Sequence, residues 1–333
     1  MKIFSGTSNI DFSKKVSEYL DIELSKVKIN RFADGEINIV VEEHVRKKDC
    51  YIIQPTGPSL NQTPNDNFME LLILCDALKR GSANSVNVVM PYYGYQRQDR
   101  KDYSRAPISA RVIANCLESQ NINRVIVFDL HAGQIQGFFS NNTPVDNLYV
   151  ESYFIESIKK EMKNNLENLM IISPDEGGMK RAVRISNKLG VGMGTIYKER
   201  SDVNVVGKMS LMGNVEGKNC VIVDDMIDTA GTACKASNIL KENGATKIFM
   251  YACHGLFSGK AFQNIEKSSF DKILITNTLD QNRHSNNIKL YNLEDRIEVI
   301  DVSWMCAEAI RRSNFGESLK ELYDKPQKKN LLK

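Results

Sequence analysis

The chain has 333 residues, enough for two domains of ordinary size, and its 42% hydrophobic and 26% charged content is that of a soluble globular protein. Its 44 basic and 41 acidic residues leave a net charge of +3, too balanced to point to nucleic acid as a partner, although a small anion needs only local positive charge. The seven cysteines are odd in number, widely spaced and without a C-x-x-C pair, which argues for reduced thiols and against a zinc site, and no apolar run approaches the roughly 18 residues of a membrane span, so the expected location is the cytoplasm.

The N-terminal stretch "MKIFSGTSNIDFSKK" lacks the apolar core of a signal peptide and reads as a first strand and turn. "CYIIQPT" (50–56) follows as a strand and "NFMELLILCDALKRGSA" (67–83) as an amphipathic helix ending near Gly81. The alternation continues with a strand over 85–93, a helix over 109–121 and a strand over 123–131. Helices at 150–165, 178–190 and 232–245 then interleave with strands at 168–175, 218–226 and 246–255, and further strands fall at 272–278 and 297–303. Strand–helix alternation of this kind predicts an α/β fold with mainly parallel sheets covered by helices on both faces, and the nearly continuous apolar strands agree. The two halves echo each other: "VVMPYYGYQR" parallels "MIISPDEGGMKR", and "VIVFDLHAGQ" parallels "VIVDDMIDTAGT". The pattern suggests two copies of one α/β domain, with a boundary near 142–149 and a polar tail after it all.

The most informative segment is "VIVDDMIDTAGT" (221–232). A β-rich run ends in Asp224 and Asp225, and Asp228, Thr229, Ala230, Gly231 and Thr232 lead into a helix that Thr229 or Thr232 is placed to cap. Backbone N–H groups at a helix start bind anions, and small residues let the backbone approach a phosphate. Carboxylates suit vicinal hydroxyls, and N–H donors suit a phosphate. The stretch therefore has the makings of a ribose-phosphate cradle; an ordinary capped turn is the plainer alternative.

Other segments are open to two readings each. "YQRQDRKD" sets Arg97, Arg100 and Lys101 near Tyr92, Tyr93 and Tyr95, for stacking on a purine or pairing with phosphate, or simply as a solvated basic loop. "DLHA" places Asp129 and His131 at a strand end, and "SPDEGG" places Asp175 at another, where an N-cap role is equally sound. In "YKER", Lys198 and Arg200 alternate, so both project from one side of an extended segment, or decorate a surface hairpin. "FADGE" (32–36) shows by itself only a turn before a strand. No Walker-type, dinucleotide-binding or protein-kinase motif is present in the sequence.

Taken together, these segments resemble the ribose-phosphate pyrophosphokinases, a family of phosphoribosyl-pyrophosphate synthetases. The likeness rests on 221–232 and on "RFADGEI", "YQRQDRKD", "SRAPISAR", "DLHAGQIQGFF", "SPDEGGMKRA", "YKER", "HGLFSG" and "AEAIRRSNFGES", in that order along nearly the whole chain. It implies two type I phosphoribosyltransferase-like domains, residues 1–147 on the ATP side and 148–309 carrying the ribose 5-phosphate loop, with a C-terminal extension over 310–333. It implies transfer of pyrophosphate from ATP to the C1 hydroxyl of ribose 5-phosphate, with Mg²⁺ as cofactor; a non-catalytic regulatory homologue is the alternative. By the same resemblance, Lys198 and Arg200 are catalytic, and Arg200 joins Asp224, Asp225 and 228–232 around the sugar phosphate. Phe32, Asp34, Gly35, Glu36, Arg97, Gln98 and His131 bind ATP, and Asp129, His131 and Asp175 lie near metal. The 32–36 loop is expected to reach the adenine site of a neighbouring subunit in a dimer-based homohexamer, with no membrane or nucleic-acid partner. The chain departs from the family pattern at Ser140, where relatives commonly carry Asp, so a secondary metal site expected in that neighbourhood lacks its carboxylate.

Overall fold

The computed structural model describes residues 1–198 and 209–323. The chain divides into two compact units: one comprises Met1–Val150, Asn277–Asp280 and Asp301–Lys333, the other Glu151–Thr276 and Gln281–Ile300.

The first unit is laid down as β1 (Lys2–Ser5), α1 (Ile10–Leu20), β2 (Val27–Arg31), β3 (Ile37–Val41), β4 (Asp49–Ile53), α2 (Pro64–Arg80), β5 (Ser85–Met90), α3 (Ser109–Ser119), β6 (Arg124–Phe128) and β7 (Val145–Leu148). Among the described residues its main sheet has the order β1-β4-β5-β6-β7, parallel throughout, and β2 and β3 form a separate antiparallel hairpin. The central strands read as apolar runs because both faces are covered: Ile52, Val88 and Val127 are fully buried. The helix expected over 67–83 begins earlier, at Pro64, because Thr63 and Asp66 form a reciprocal capping box, and Lys79 and Arg80 complement its C-terminal dipole.

The second unit runs α4 (Glu151–Glu161), β8 (Leu169–Ser173), α5 (Met179–Leu189), β9 (Gly192–Lys198), β10 (Met209–Met212), β11 (Asn219–Ile227), α6 (Gly231–Glu242), β12 (Lys247–Gly255), α7 (Ala261–Glu266), β13 (Lys272–Thr276), α8 (Ser285–Leu290) and β14 (Ile297–Ile300). Among the described residues its sheet order is β10-β9-β8-β11-β12-β13-β14, and only the β9–β10 pairing is antiparallel. Ile172, Ile222, Met250 and Ile275 fill the core on adjacent strands. The helix expected to reach 165 stops at Glu161, and Lys163 and Asn164 follow with φ of 49° and 61°.

A final helix, α9 (Ser303–Phe315), packs on α1. Residues 301–309, placed from sequence with the second domain, thus lie in the first unit. Their tie to it is specific: Asp301 Oδ1 accepts hydrogen bonds from Asn277 Nδ2 (2.8 Å) and from the Ser303 N–H (2.9 Å), and Lys15 Nζ lies 2.8 Å from Asp301 Oδ2. No described helix is long and apolar enough to cross a membrane.

Candidate functional site

In the second unit the site grows from the carboxyl end of β11, a central strand paired with β8 and β12. The strand runs on to Ile227, so Asp224 and Asp225 lie within its last turn of pleat and not at its tip. Asp225 is buried and Asp224 partly open, and the Asp225 N–H donates to Asp224 Oδ1 (2.9 Å). Burial and the neighbouring Asp225 charge push the Asp224 carboxyl well above the usual carboxylate range, while Arg181 pulls it down. Arg181, on α5, sets a guanidinium nitrogen 3.7 Å from Asp224 Oδ1 and 3.8 Å from Asp225 Oδ1. Sequence reasoning missed it as a site residue. The available signal was a basic side chain two residues into a helix that opens beside a glycine turn.

After the strand, residues 228–230 turn into α6. The expected threonine cap is not what closes this helix. Its N-cap is Ala230, left-handed at φ 58°, and no side chain caps the first turn. The backbone itself takes the corner, because a left-handed residue there swings the chain abruptly from strand to helix axis. The first-turn N–H groups therefore face the loop without a side-chain oxygen in front of them, as an anion site requires. Thr229 and Thr232 are exposed.

The loop is held from behind. Ile227 O accepts the N–H groups of Leu256 (2.8 Å) and Phe257 (3.1 Å), Asp228 O accepts that of Ser258 (3.0 Å), and Thr229 O accepts Asn264 Nδ2 (2.9 Å). Carbonyl and N–H of one trans peptide point in opposite directions. The N–H groups of 228, 229 and 230 are therefore directed away from the 256–264 segment. Asp175 follows β8, is exposed, and accepts the Gly178 N–H through Oδ1 (2.9 Å), so its N-cap-like role is real and leaves the other oxygen for a ligand. Lys198 is the last residue of β9, and Arg200 lies outside the described residues.

In the first unit, two loops meet at the carboxyl ends of β5 and β6. Tyr95 is left-handed at φ 63°, and Gln96 is fully buried, accepting the His131 N–H through Oε1 (2.9 Å). That tether brings the loop of Arg97 and Gln98 alongside the loop of His131, and all three side chains are exposed. Gln98 Oε1 accepts the Ser109 hydroxyl (2.5 Å) at the start of α3. Asp129 behaves differently: it is 1% exposed and its Oδ2 accepts the Val150 N–H (3.1 Å). Its carboxylate organises the strand end. Phe32, Asp34, Gly35 and Glu36 form the exposed tip of the β2–β3 hairpin, where Gly35 has φ 97° and Asp34 Oδ1 accepts the Glu36 N–H (3.0 Å). Arg31 Nη1 donates to Gly35 O (2.8 Å) and Nη2 lies 3.0 Å from Asp66, which fixes the hairpin to α2. The Ser140 N–H donates to Glu118 Oε1 (2.5 Å). Among the described residues no cluster of three or more His, Cys, Asp or Glu is poised to hold a metal ion.

Parallel α/β units with loops at strand carboxyl ends, one of them an uncapped helix start beside two carboxylates, form an arrangement that can hold a small anionic ligand. Residues 1–120 match the family model described as the N-terminal domain of ribose phosphate pyrophosphokinase, and 203–324 match the phosphoribosyl synthetase-associated domain. The ribose-phosphate pyrophosphokinase of Wolinella succinogenes is 45% identical over 97% of this chain and 98% of its own length. Ribose-phosphate pyrophosphokinase A of Dictyostelium discoideum is 42% identical over 97% and 98%. Among solved structures, phosphoribosylpyrophosphate synthetase from Mycobacterium smegmatis superposes with a TM-score of 0.84 at 32% identity, covering 95% of this chain and 99% of that one. The chain belongs to the ribose-phosphate pyrophosphokinase family.

Proposed function

We propose that this protein is a working ribose-phosphate pyrophosphokinase: it transfers the pyrophosphoryl group of ATP to the C1 hydroxyl of ribose 5-phosphate, giving phosphoribosyl pyrophosphate and AMP for nucleotide biosynthesis. The observation that carries the reading is the intact cradle, in which Asp224 and Asp225 stand beside an α6 N-terminus with no side-chain cap. The 5-phosphate sits against the N–H groups of 228–232 and the helix dipole, and the carboxylates accept hydrogen bonds from the ribose hydroxyls.

The C1 oxygen attacks the β-phosphorus in line. A bond forms between them, the bond from the β-phosphorus to the oxygen bridging the α-phosphate breaks, and the electron pair leaves on AMP while the hydroxyl proton passes to solvent. Reactions of this kind depend on positioning and charge neutralisation more than on a strong base. Lys198 and Arg200 supply positive charge to the transferring group, and Arg97, Gln98 and His131 hold the nucleotide. The exposed hairpin tip of Phe32, Asp34, Gly35 and Glu36 suits a contribution to the adenine site of a neighbouring subunit in a homohexamer; the Phe32 ring, 55% exposed, is otherwise an apolar side chain held in water. The expected location is the cytoplasm.

A divalent cation fits the donor set in a particular way. Mg²⁺ prefers oxygen ligands and keeps several waters, binding through one or two carboxylates and substrate phosphates. Asp175, exposed and with one oxygen committed to the Gly178 N–H, suits such sparse protein ligation. Asp175 would take the cation on the sugar side, and His131, an exposed imidazole, would contact phosphate or metal-bound water on the nucleotide side. Asp129, buried and bonded to Val150, acts by holding the loop. When bound, Mg²⁺ neutralises phosphate charge.

The test is phosphorus NMR of the purified protein with ATP, ribose 5-phosphate and Mg²⁺. The expected result is AMP and a C1-linked diphosphate in equal amounts. Binding of both substrates without turnover would overturn it and identify a regulatory homologue.

A further inference from the structure

Behind the sugar-phosphate loop lies a second layer that the reaction as described does not use. Gly255 O accepts Gln281 Nε2 (3.0 Å) and Arg283 Nη2 (3.2 Å). Leu256 O accepts Arg283 Nη2 (2.8 Å) and faces His284 Nε2 (3.1 Å). The peptide whose carbonyl is Gly255 O carries the Leu256 N–H, and the peptide whose carbonyl is Leu256 O carries the Phe257 N–H. Both of these N–H groups donate to Ile227 O. Two peptide units thus lie side by side, each with Arg283 at its carbonyl end and the last strand residue before the cradle at its N–H end. A guanidinium at the carbonyl end polarises each peptide and strengthens its N–H as a donor.

The segment so gripped is one that needs holding. Phe257 has φ 49°, a backbone conformation that costs an L-residue about 1–2 kcal/mol. Gly255 has no room for a side chain, since a Cβ there would fall 2.5 Å from Ile275 Cδ1 and 2.9 Å from the Phe257 ring. The His284 ring packs edge-on to Phe257 at 5.5 Å and against Phe262 at 5.2 Å. It is buried, and burial together with Arg283 lowers its pKa to about 4, so it is neutral at physiological pH and its Nε2–H tautomer donates to Leu256 O.

We propose that Arg283 and His284 are positioning residues for the ribose 5-phosphate cradle, fixing residues 227–229 through the 255–257 backbone. The inference rests on the cradle reading above. It assigns the two side chains a role in sugar-phosphate binding with none in nucleotide binding.

The test compares the full-length protein with Arg283→Met, Arg283→Lys and His284→Phe, with Asp224→Asn in parallel. Steady-state kinetics with each substrate varied, and thermal melting of each variant, are the readouts. Displacing a binding loop by a fraction of an ångström to 1 Å costs roughly 10- to 100-fold. Arg283→Met is expected to raise KM for ribose 5-phosphate about tenfold or more, with KM for ATP within about twofold of wild type. Arg283→Lys, which keeps charge and one donor, should recover part of the loss. Should Arg283→Met fail to fold, His284→Phe keeps the ring among Phe257 and Phe262, loses only the donor, and should show the same split at smaller size. Equal changes for both substrates, or none, in the folded variants would overturn the proposal. If Asp224→Asn raises the sugar-phosphate KM and these variants do not, this inference alone fails; if Asp224→Asn leaves it unchanged, the cradle reading fails with it.

Discussion

Replacing Arg181 by Met removes the guanidinium beside Asp224 and Asp225 while keeping the length of the side chain. Two opposite unit charges near 4 Å attract by about 4 kcal/mol at an effective dielectric of about 20, and Arg181 faces two carboxylates at 3.7 and 3.8 Å. Desolvation offsets much of that: the Arg181 side chain is only 12% exposed. Removing one partner of a buried ion pair typically costs about 3–5 kcal/mol. The contacts here exceed hydrogen-bond length and the Asp224 side chain is 24% exposed, so the expected loss of stability at pH 7 is about 2–3 kcal/mol. The loss must depend on pH. The folded-state pKa of Asp224 lies above its unfolded value, so the native state binds more protons in that interval and stability falls as pH rises through it. Without Arg181 the carboxyl shifts further upward, and the fall extends to higher pH. The difference between wild type and Arg181→Met should therefore be largest at neutral pH and shrink once acid protonates Asp224 in both proteins. Urea denaturation over a pH series measures it. A loss that is the same at every pH, or greater in acid, would show that Arg181 acts by packing and not by charge.

Ala230→Gly relieves a left-handed alanine worth about 1–2 kcal/mol but adds about 0.5–1 kcal/mol of unfolded-state entropy, so a net gain of up to about 1.5 kcal/mol is expected in urea denaturation; a clear loss would mean that the alanine methyl contributes more than the turn strain costs. His284 is depressed to about 4, so the unfolded state binds its proton first as pH falls, and the stability it contributes is full above pH 6.5 and lost towards pH 4. The shift corresponds to roughly 3 kcal/mol, and to roughly 2 after solvent screening; His284→Phe should flatten that acid limb of the stability curve, and an unchanged limb would count against it. Lys198→Ala should lower turnover by about 10³-fold or more with little change in ribose 5-phosphate affinity, as expected for a charge aimed at the transferring group; near-normal turnover would refute that role.

Sequence patterns revealed the central strands well because they are buried on both faces and read as unbroken apolar runs, whereas the more exposed β2, β3 and β10 carry no such run. They singled out residues 221–232 because their residue types are so unusual together: Asp224 and Asp225 near the end of a buried strand have few inexpensive explanations. They could not show that Ala230 caps α6 by backbone conformation, since alanine carries no signal for a left-handed turn and two threonines nearby offer a plausible cap. Arg181, on α5, was hidden because its partners lie 43 and 44 positions away, on β11. Arg283 and His284 were hidden for a similar reason: they grip backbone carbonyls, and any residue type can present a carbonyl. Asp129 shows the converse. The family resemblance places it near metal, and its burial and its Oδ2 bond to the Val150 N–H add a structural part that no motif announces.

A crystal structure of the protein soaked with ribose 5-phosphate goes straight to the heart of the matter. The phosphate should lie against the backbone N–H groups of 228–232, with the ring hydroxyls on Asp224 and Asp225. Clear density for the sugar at any other place, with this loop unliganded, would contradict the assignment of the site and the chemistry built on it.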